Sequence, residues 1–487
     1  MKISLISPKW DRMVLSYPPL GLAYLAAALE QHKHQVAIHT FSLRPESSPE
    51  ENVGEVAAFG PDIVGITAMT NAYFGAVKLA EQIKAALGCP IVFGGPHPTV
   101  MPERTAAEPS VTCVVCGEGE ETVVELVEAL GRGLPLHSIR GICFRQDGAT
   151  IRTAPRPLIE DLDTLPFPAR HLLDLAQFPL QAKDGRPMAT LVTSRGCPYD
   201  CSYCFKGLFG RTYRQRSCQN VVAELKAVIQ DHAITNFYFV DDLFTANQKW
   251  LHEFTQLLLD EDLGIRWQCL ARVDRVNPEL LGKMHLAGCR EIHFGIESGN
   301  QALLDAVSKH ISLDHARKAV RWAKDAKMIT KGYFMLGLPA ETEETAEQTI
   351  NLACELGLDE AMFSITTPFP GTRLWHAYVT DARYLQFTKD FARAYYFGVN
   401  SDEARPFFNL SNLTDKRLME LATDAPNKFE AHRKKRLYGA VFGEKLGALL
   451  WWISQISFLR VMARGLKRFG RLRQLSSNTA DTARLWA

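Results

Sequence analysis

The chain has 487 residues, more than one ordinary core accommodates, and its length points to roughly two to four domains. Apolar residues make up 46% and charged residues 22%, as in globular proteins. Lys plus Arg number 55 and Asp plus Glu 54, and a net charge of +1 excludes a uniformly basic nucleic-acid binder and an acidic disordered chain.

The charge is unevenly placed. Between Arg433 and Arg473 eleven Lys and Arg stand against one acid, Glu444, so a basic end sits on a mildly acidic body. Met1 to Ser7 run into Pro8, Lys9 and Asp11 without a signal-peptide apolar core or cleavage site. Eleven cysteines, an odd number scattered along a long chain, do not form a secreted disulfide framework. No apolar run of about 18 residues is present to span a bilayer. The expected location is a reducing cytoplasm.

In chain order, short apolar runs at Ile3–Ile6, Val36–His39, Ile63–Ile66, Ile91–Phe93 and Val111–Val115 read as strands. Helical patterns lie between them at Gly21–Gln31, Ala72–Ala86 and Glu120–Leu130. This α/β alternation predicts a doubly wound, flavodoxin- or Rossmann-like parallel sheet over residues 1–140, with ligands at the carboxyl ends of its strands. Those ends carry Thr67, then Gly94 and Gly95, then Gly117, Glu118 and Gly119. Glycines there let a bulky planar ligand approach the backbone; an ordinary strand-to-loop turn reads equally well.

Residues 141–185, with a hairpin-like stretch at Asp147–Arg156 and Pro166 and Pro168 further on, read as a connector. Over 186–380, strands at Thr190–Thr193, Asn236–Val240, Ile265–Leu270, Glu291–Gly295, Thr330–Leu336 and Met362–Thr366 alternate with helical patterns. Six βα units predict a full or partial barrel whose chemistry belongs at the carboxyl ends of its strands. Residues 381–487 read as a helical, basic end.

Just after the first barrel strand, Cys197, Cys201 and Cys204 fall within eight residues in C-x3-C-x2-C spacing. Thiolates are soft ligands for iron–sulfur clusters or zinc. Three of them can hold a 4Fe–4S cube and leave its fourth iron open; a four-cysteine zinc site through Cys218 is the alternative. Asp241 and Asp242 at the second strand end can accept hydrogen bonds from an ammonium or a ribose, or cap a helix. Arg272 can grip a carboxylate or pair with Asp274. Glu297 stands among glycines and a serine. Cys89, Cys143, Cys269, Cys289 and Cys354 read as buried small hydrophobes.

With its aromatic at Tyr203, the cysteine motif resembles the radical S-adenosylmethionine superfamily, whose hallmark is C-x3-C-x-aromatic-C at the head of a partial (β/α)6 barrel. The likeness continues through Phe239–Phe244, Ala271–Asp274, Phe294–Gly299 and Gly332–Pro339 followed by Glu341-Thr342, spanning about Met188 to Leu374. It implies a 4Fe–4S cluster on the three cysteines and S-adenosylmethionine near Tyr203, Asp241, Asp242, Arg272 and Glu297. It also implies a 5′-deoxyadenosyl radical that abstracts hydrogen from substrate, with electrons from an external flavodoxin- or ferredoxin-like donor.

The segments Gly94–Thr99 and Gly117–Glu120, with the opening Tyr17–Leu25, resemble the cobalamin-binding subclass. That implies a corrin between front domain and barrel mouth, near Thr67, Gly94, Gly95, Gly117, Glu118 and Gly119. No D-x-H-x-x-G occurs, so no histidine is marked as the lower cobalt ligand; His97, flanked by prolines, reads as a loop residue. Cys113 and Cys116 raise a rival in the methylthiotransferases, which place three cysteines in the front domain and end in a β-barrel.

Past the barrel, Phe387, Phe391, Tyr395, Tyr396, Phe397, Phe407 and Phe408 either line an apolar pocket or, by default, pack the barrel's open side. Leu446–Leu459, with Trp451 and Trp452 and basic flanks, fits a helix lying in a membrane interface through residues 433–473, or a plain packing helix. No nucleic-acid-binding fold is recognised. The leading expectation is a cobalamin-dependent radical methyltransferase acting on an unactivated carbon of an apolar lipid-, porphyrin- or natural-product-like substrate. Radical cyclisation, oxidation or rearrangement is the alternative within the class, and an iron–sulfur sensor or scaffold the alternative outside it.

Overall fold

A computed structural model describes residues 1–9, 17–382, 384, 385, 391 and 406–455. The front of the chain forms β1 (Lys2–Ser7), α1 (Leu20–Gln31), β2 (Gln35–Thr40), α2 (Pro49–Phe59), β3 (Ile63–Thr67) and α3 (Tyr73–Leu87). After these come β4 (Ile91–Gly94), α4 (Pro96–Val100), α5 (Pro102–Ala106), β5 (Cys113–Val115) and α6 (Glu120–Arg132). The first five strands are parallel in the order β2-β1-β3-β4-β5, the flavodoxin-like arrangement expected. Alternate side chains feed two cores: Ile3 and Leu5 pack with α1 and α6, Ile6, Val64 and Ile66 with α3.

Apolar periodicity misses α2, whose signal lies at its start. Ser48 Oγ accepts from the Glu51 N–H at 3.1 Å, and the Glu51 carboxylate accepts from the Ser48 N–H at 2.7 Å. This S-x-x-E capping box satisfies two backbone donors before the first turn closes.

The front sheet does not stop near residue 140. β6 (Ile142–Gln146) and β7 (Ala149–Arg152) extend it antiparallel beyond β5, covering what would be a bare strand edge. The first part of the expected connector therefore belongs to the sheet. The rest is pinned rather than loose: the Ala169 N–H donates to the Ala23 carbonyl at 3.0 Å, and Arg170 pairs with Glu224 at 2.6 Å.

The second sheet begins with β8 (Met188–Leu191). A two-stranded ribbon, β9 (Ser194–Arg195) with β10 (Arg214–Gln215), frames the cysteine loop. Then follow α7 (Cys218–His232), β11 (Asn236–Phe239), α8 (Gln248–Glu261), β12 (Arg266–Ala271), α9 (Pro278–Leu286) and β13 (Cys289–Glu297). The run continues with α10 (Gln301–Ala306), α11 (Leu313–Asp325), β14 (Ile329–Leu336), α12 (Glu343–Glu355), β15 (Glu360–Ile365) and α13 (Arg373–Tyr378). The six main strands are all parallel, in the order β8-β11-β12-β13-β14-β15, a partial barrel as the spacing predicts.

The outward side chains Phe237, Phe239, Trp267, Phe294 and Phe334 are buried beneath the helices in the largest core. α14 (Asp415–Phe442) adds Leu418, Leu421 and Phe429 to that core, and α15 (Glu444–Gln455) folds back against α14. Phe391, Phe407 and Phe408 are buried around Leu374 and Trp375, and Phe391 stacks on Phe74 of the front domain, ring centres 6.1 Å apart. These three follow the packing alternative. Phe387, Tyr395, Tyr396, Phe397 and the 456–473 part of the basic stretch lie outside the described residues. No helix among the described residues is long and apolar enough to cross a membrane.

Candidate functional site

The three cysteines sit on the loop between β9 and β10, where Gly196 adopts φ +83°. A Cβ there would lie 2.3 Å from the Thr212 carbonyl oxygen, so only glycine lets the ribbon close. The loop is held on both sides: the Ser202 N–H donates to the Val307 carbonyl at 2.9 Å, and the Leu374 N–H donates to the Ser202 carbonyl at 2.8 Å. All three thiols are free. Burial, with Asp242, Cys201 and Cys197 acting in the same direction, pushes the Cys204 thiol up to about 11. Three unpaired, electrostatically coupled thiols on one pinned loop fit an iron–sulfur cluster by donor chemistry. Among the described residues, His, Cys, Asp and Glu side chains are nowhere gathered in threes around one point.

The strand-end residues divide. Asp242 is exposed at the barrel mouth, and Tyr203 packs half-buried on Leu303, Val307 and Leu338. Glu297, at φ +71°, pairs with Lys309 at 2.8 Å, and its charge reaches Tyr203. Asp241 and Arg272 are not free to receive a ligand as expected. The fully buried Asp241 carboxylate accepts from the Thr193 N–H at 2.6 Å, from Thr193 Oγ1, and from Ser194 Oγ at 2.8 Å. It ties the end of β11 to the segment leading into the cysteine loop. Arg272 is bidentate to Asp274, at 2.9 and 3.1 Å, donates to the Lys309 and His310 carbonyls, and lies 3.5 Å from the Tyr199 ring centre.

A cleft of about 390 Å³ opens at the carboxyl ends of β1, β3, β4 and β5. Thr67, Gly94, Gly95, Gly117, Glu118 and Gly119 all line it, and so do Val192, Arg195, Leu208 and Phe209 from the barrel side. Gly95, at φ +92°, brings the β4 turn so close to Thr67 that an added Cβ would sit 2.4 Å from its Oγ1. Most of the remaining wall is aliphatic, including Leu5, Leu25, Ile66 and Val127, which suits the flank of a large organic cofactor. None of the described lining residues is a histidine. His97 is buried elsewhere, stacked near Tyr73, and burial pushes it down to about 3. An apolar, glycine-floored cleft without imidazole fits a corrin that takes no histidine from this wall.

Glu118 also meets partners across the domain boundary. Its carboxylate is engaged by Arg195 and Arg214, each at 2.8 Å, and by the Ile159 N–H at 2.8 Å, while Arg195 also grips Glu120 at 2.5 Å. This buried four-residue ionic cluster locks the front domain to the ribbon two residues before Cys197, so Glu118 is an anchor as well as part of the cleft wall. Arg195, Arg214 and Glu120 escaped the sequence reading, because nothing in a single chain marks which charges will meet across a domain interface. Cys113 and Cys143 lie buried on β5 and β6. Burial pushes the Cys116 thiol up to about 12.

A B12 binding domain model matches residues 12–127, and a Radical SAM superfamily model matches residues 191–353. An uncharacterized methyltransferase of Pyrococcus horikoshii is 37% identical over 77% of this chain and 82% of its own length. The chain belongs to the cobalamin-binding radical S-adenosylmethionine enzymes. The anaerobic magnesium-protoporphyrin IX monomethyl ester cyclase of Rubrivivax gelatinosus is 29% identical over 77% of this chain and 69% of its own. Among solved structures, the radical S-adenosylmethionine methyltransferase TsrM from Kitasatospora setae, with cobalamin and a [4Fe-4S] cluster bound, superposes with a TM-score of 0.66. It covers 83% of this chain and 76% of its own at 18% identity, so this radical S-adenosylmethionine enzyme shares its fold.

Proposed function

We propose that this enzyme holds a 4Fe–4S cluster on Cys197, Cys201 and Cys204, S-adenosylmethionine at the barrel mouth and cobalamin in the cleft. Its reaction is then methylation of an unactivated carbon in an apolar substrate. The observation that carries this reading is the shared wall: barrel residues Val192, Arg195, Leu208 and Phe209 line the same cleft as Thr67, Gly95 and Gly117. A cofactor lying on the front-domain glycines thus faces the loop that carries the three thiols. When bound, the cluster supplies the electron that cleaves S-adenosylmethionine, and the corrin supplies a transferable methyl group.

The chain's own residues bind, orient and exclude. Asp242 offers a carboxylate to the methionine ammonium or the ribose, and Tyr203 offers a ring face beside it. The paired Glu297 and Lys309 fix the β13 end from which either can reach a polar group. The aliphatic cleft wall keeps water from the reacting centre. An external flavodoxin- or ferredoxin-like donor delivers electrons one at a time.

Radical cyclisation or oxidation is the second reading, favoured by the likeness to the Rubrivivax cyclase. Anaerobic turnover with cobalamin supplied separates the two. S-Adenosylhomocysteine appearing with 5′-deoxyadenosine, beside stoichiometric cobalt, supports methylation; 5′-deoxyadenosine without it supports cyclisation. Absence of both products from a cluster-loaded protein overturns the enzyme proposal.

We further infer a cytoplasmic enzyme that touches a membrane through its last helices. Phe442, Leu446, Leu449 and Trp452 are exposed together on the α14–α15 hairpin beside Lys434, Lys435 and Lys445. Co-sedimentation with anionic but not neutral vesicles is expected, and its loss in Leu449→Glu/Trp452→Glu; equal recovery with and without vesicles would refute the contact.

A further inference from the structure

The cysteine loop is covered at one end and open at the other. Past Cys204 it packs beneath the front domain. A Cβ added at Gly207 would lie 2.9 Å from Val100 Cγ1 of α4, one at Gly371 would lie 2.6 Å from the same atom, and the Phe205 ring crowds both glycines. Between Cys197 and Cys201 the loop instead meets solvent, with Pro198 exposed and Tyr199 and Asp200 half-buried. Pro198 follows one thiol and Asp200 precedes the next, so this face stands one peptide from each.

Arginines from three separate parts of the barrel domain converge on those three residues. Arg211, on the return towards β10, pairs with Asp200 at 3.2 Å and donates to the Pro198 carbonyl at 3.4 Å. Arg373, at the start of α13, pairs with the Asp200 carboxylate at 3.1 Å. It also donates to the Asp200 carbonyl at 2.7 Å and to Ser308 Oγ at 2.8 Å. Arg275, just past β12, donates to the Tyr199 hydroxyl.

None of the three is used up by these contacts. The Arg211 and Arg373 side chains remain 58% and 53% exposed, and Arg275 is exposed as well. Exposed ion pairs add little to stability, so folding alone does not account for three cations on one short stretch. Asp200 is shared by two of them, Asp274 is taken up by Arg272, and Asp305 bonds Gln301 at 3.0 Å. The face is therefore positive, on a chain whose net charge is only +1. None of its residues lines the cofactor cleft.

We propose that Pro198–Asp200, with Arg211, Arg275 and Arg373, is the docking face for an acidic one-electron carrier protein. The proposal rests on the enzyme reading above and places its electron entry on the outer side of the cysteine loop. Electron transfer between proteins falls steeply with distance, so a donor has to dock where the covering over the thiols is thin. Carboxylates on the carrier meet guanidinium forks that still have free N–H groups, which steers the encounter and fixes its orientation. In the docked pair a flavin hydroquinone gives up one electron and becomes the semiquinone, the cluster gains that electron, and no proton or covalent bond changes hands. Lipid headgroups and nucleic acids are anionic too, but neither has a use for a face set against two thiols.

The test titrates the full-length, cluster-loaded enzyme with an acidic bacterial flavodoxin. Binding of the oxidised flavodoxin, read by calorimetry, needs neither turnover nor a reduced cluster. Arg211→Glu/Arg275→Glu is expected to weaken it by about tenfold or more, and Arg211→Lys/Arg275→Lys, which keeps the charge, by less than about threefold. Raising salt from about 0.05 to about 0.5 M should weaken wild-type binding more than that of the Glu variant. The second readout is the rate of cluster bleaching by flavodoxin hydroquinone, divided by the rate with photoreduced 5-deazariboflavin, which is small and uncharged. That ratio should fall about tenfold in the Glu variant. No binding by the wild type, equal binding by the Glu variant, a Lys variant as weak as the Glu variant, or an unchanged ratio overturns the proposal. Tighter arginine-dependent binding of poly(U) or anionic vesicles than of flavodoxin overturns it as well. Flavodoxin that binds and reduces the cluster without 5′-deoxyadenosine being formed would leave the docking face standing and sink the enzyme reading.

Discussion

The front-domain cleft and the barrel mouth were both expected to bind a cofactor through residues at strand ends, and they fared differently. In the cleft, Thr67, Gly94, Gly95, Gly117 and Gly119 all line one cavity. At the mouth, Asp242, Tyr203 and Glu297 gather near the cysteine loop, while Asp241 and Arg272 are engaged by their neighbours. Glycine acts by lacking a side chain, so its role follows from where the backbone runs, and strand periodicity sets that. A carboxylate or guanidinium acts through whichever partner it meets, and the nearest partner is often another part of the same scaffold.

The sharpest test of the mouth is Cys201→Ala. Loss of one of three thiolates should abolish the cluster, with iron content and visible charge-transfer absorbance falling to background and 5′-deoxyadenosine formation ceasing. Retained iron and cleavage would show that the loop is not the cluster site. The joint between the two regions comes next. Glu118→Ala leaves Arg214 without a carboxylate partner in a buried site and Arg195 with Glu120 alone, and removing one partner of such a cluster costs about 3–5 kcal/mol. A lower denaturant midpoint is expected, together with easier proteolysis of the connector around residues 153–187. If Glu118 were chiefly a cofactor ligand, cobalt binding would fall with little change in the midpoint.

A third test lies at the end of β14. Glu341 is fully buried, accepts from the Gly337 N–H, and is pushed by burial up to about 7 from an ordinary 4.5. Between those values the native state holds a proton that the unfolded chain has released. Stability contributed by the neutral carboxyl is therefore complete below pH 4.5 and is lost as pH rises to about 7, a loss of about 3 kcal/mol. Glu341→Gln, which cannot ionise, should remove that slope. Denaturant midpoints at pH 5 and pH 8 for both proteins check it, and parallel slopes would contradict it.

These contrasts also mark what a single sequence can disclose. Strand and helix order, the six-strand barrel and the cysteine loop were legible because each is local: apolar alternation, cap residues and C-x3-C-x2-C spacing all lie within a few residues. The helix at Pro49–Phe59 was legible in principle from Ser48 and Glu51, though its apolar stripe is too sparse to reveal it. The β6–β7 extension was visible as a hairpin, but not its attachment to β5, which is a pairing across the chain. Glu118–Arg195–Arg214 and Tyr238–His293–Tyr333 are joined by hydrogen bonds between residues 40 to 96 positions apart. No periodicity encodes such meetings. The barrel's polar inner row could have been read from the alternation Phe237-Tyr238-Phe239 and Ile292-His293-Phe294, in which the polar side chains share one face of the sheet.

The smallest expected effect bears most directly on the cleft. At Gly95 the backbone adopts φ +92° and ψ −170°, a region that only glycine occupies comfortably, and the missing Cβ leaves room for Thr67 Oγ1. Gly95→Ala must either move the β4 turn or push Thr67 aside, at a cost of about 1–3 kcal/mol. If the turn merely links strand to helix, that cost should appear as lower stability with cobalamin affinity unchanged in the molecules that remain folded. If Gly95 floors a corrin site, affinity should fall by about tenfold or more, since the shifted turn narrows the wall the cofactor lies on. Cobalamin titration below the unfolding temperature, followed by the corrin's visible spectrum, separates the two. Thr67→Ala in the same background sharpens the result. It removes the hydroxyl that the added Cβ would strike, so partial recovery of affinity would place the defect at this contact, whereas none would assign it to the backbone strain alone.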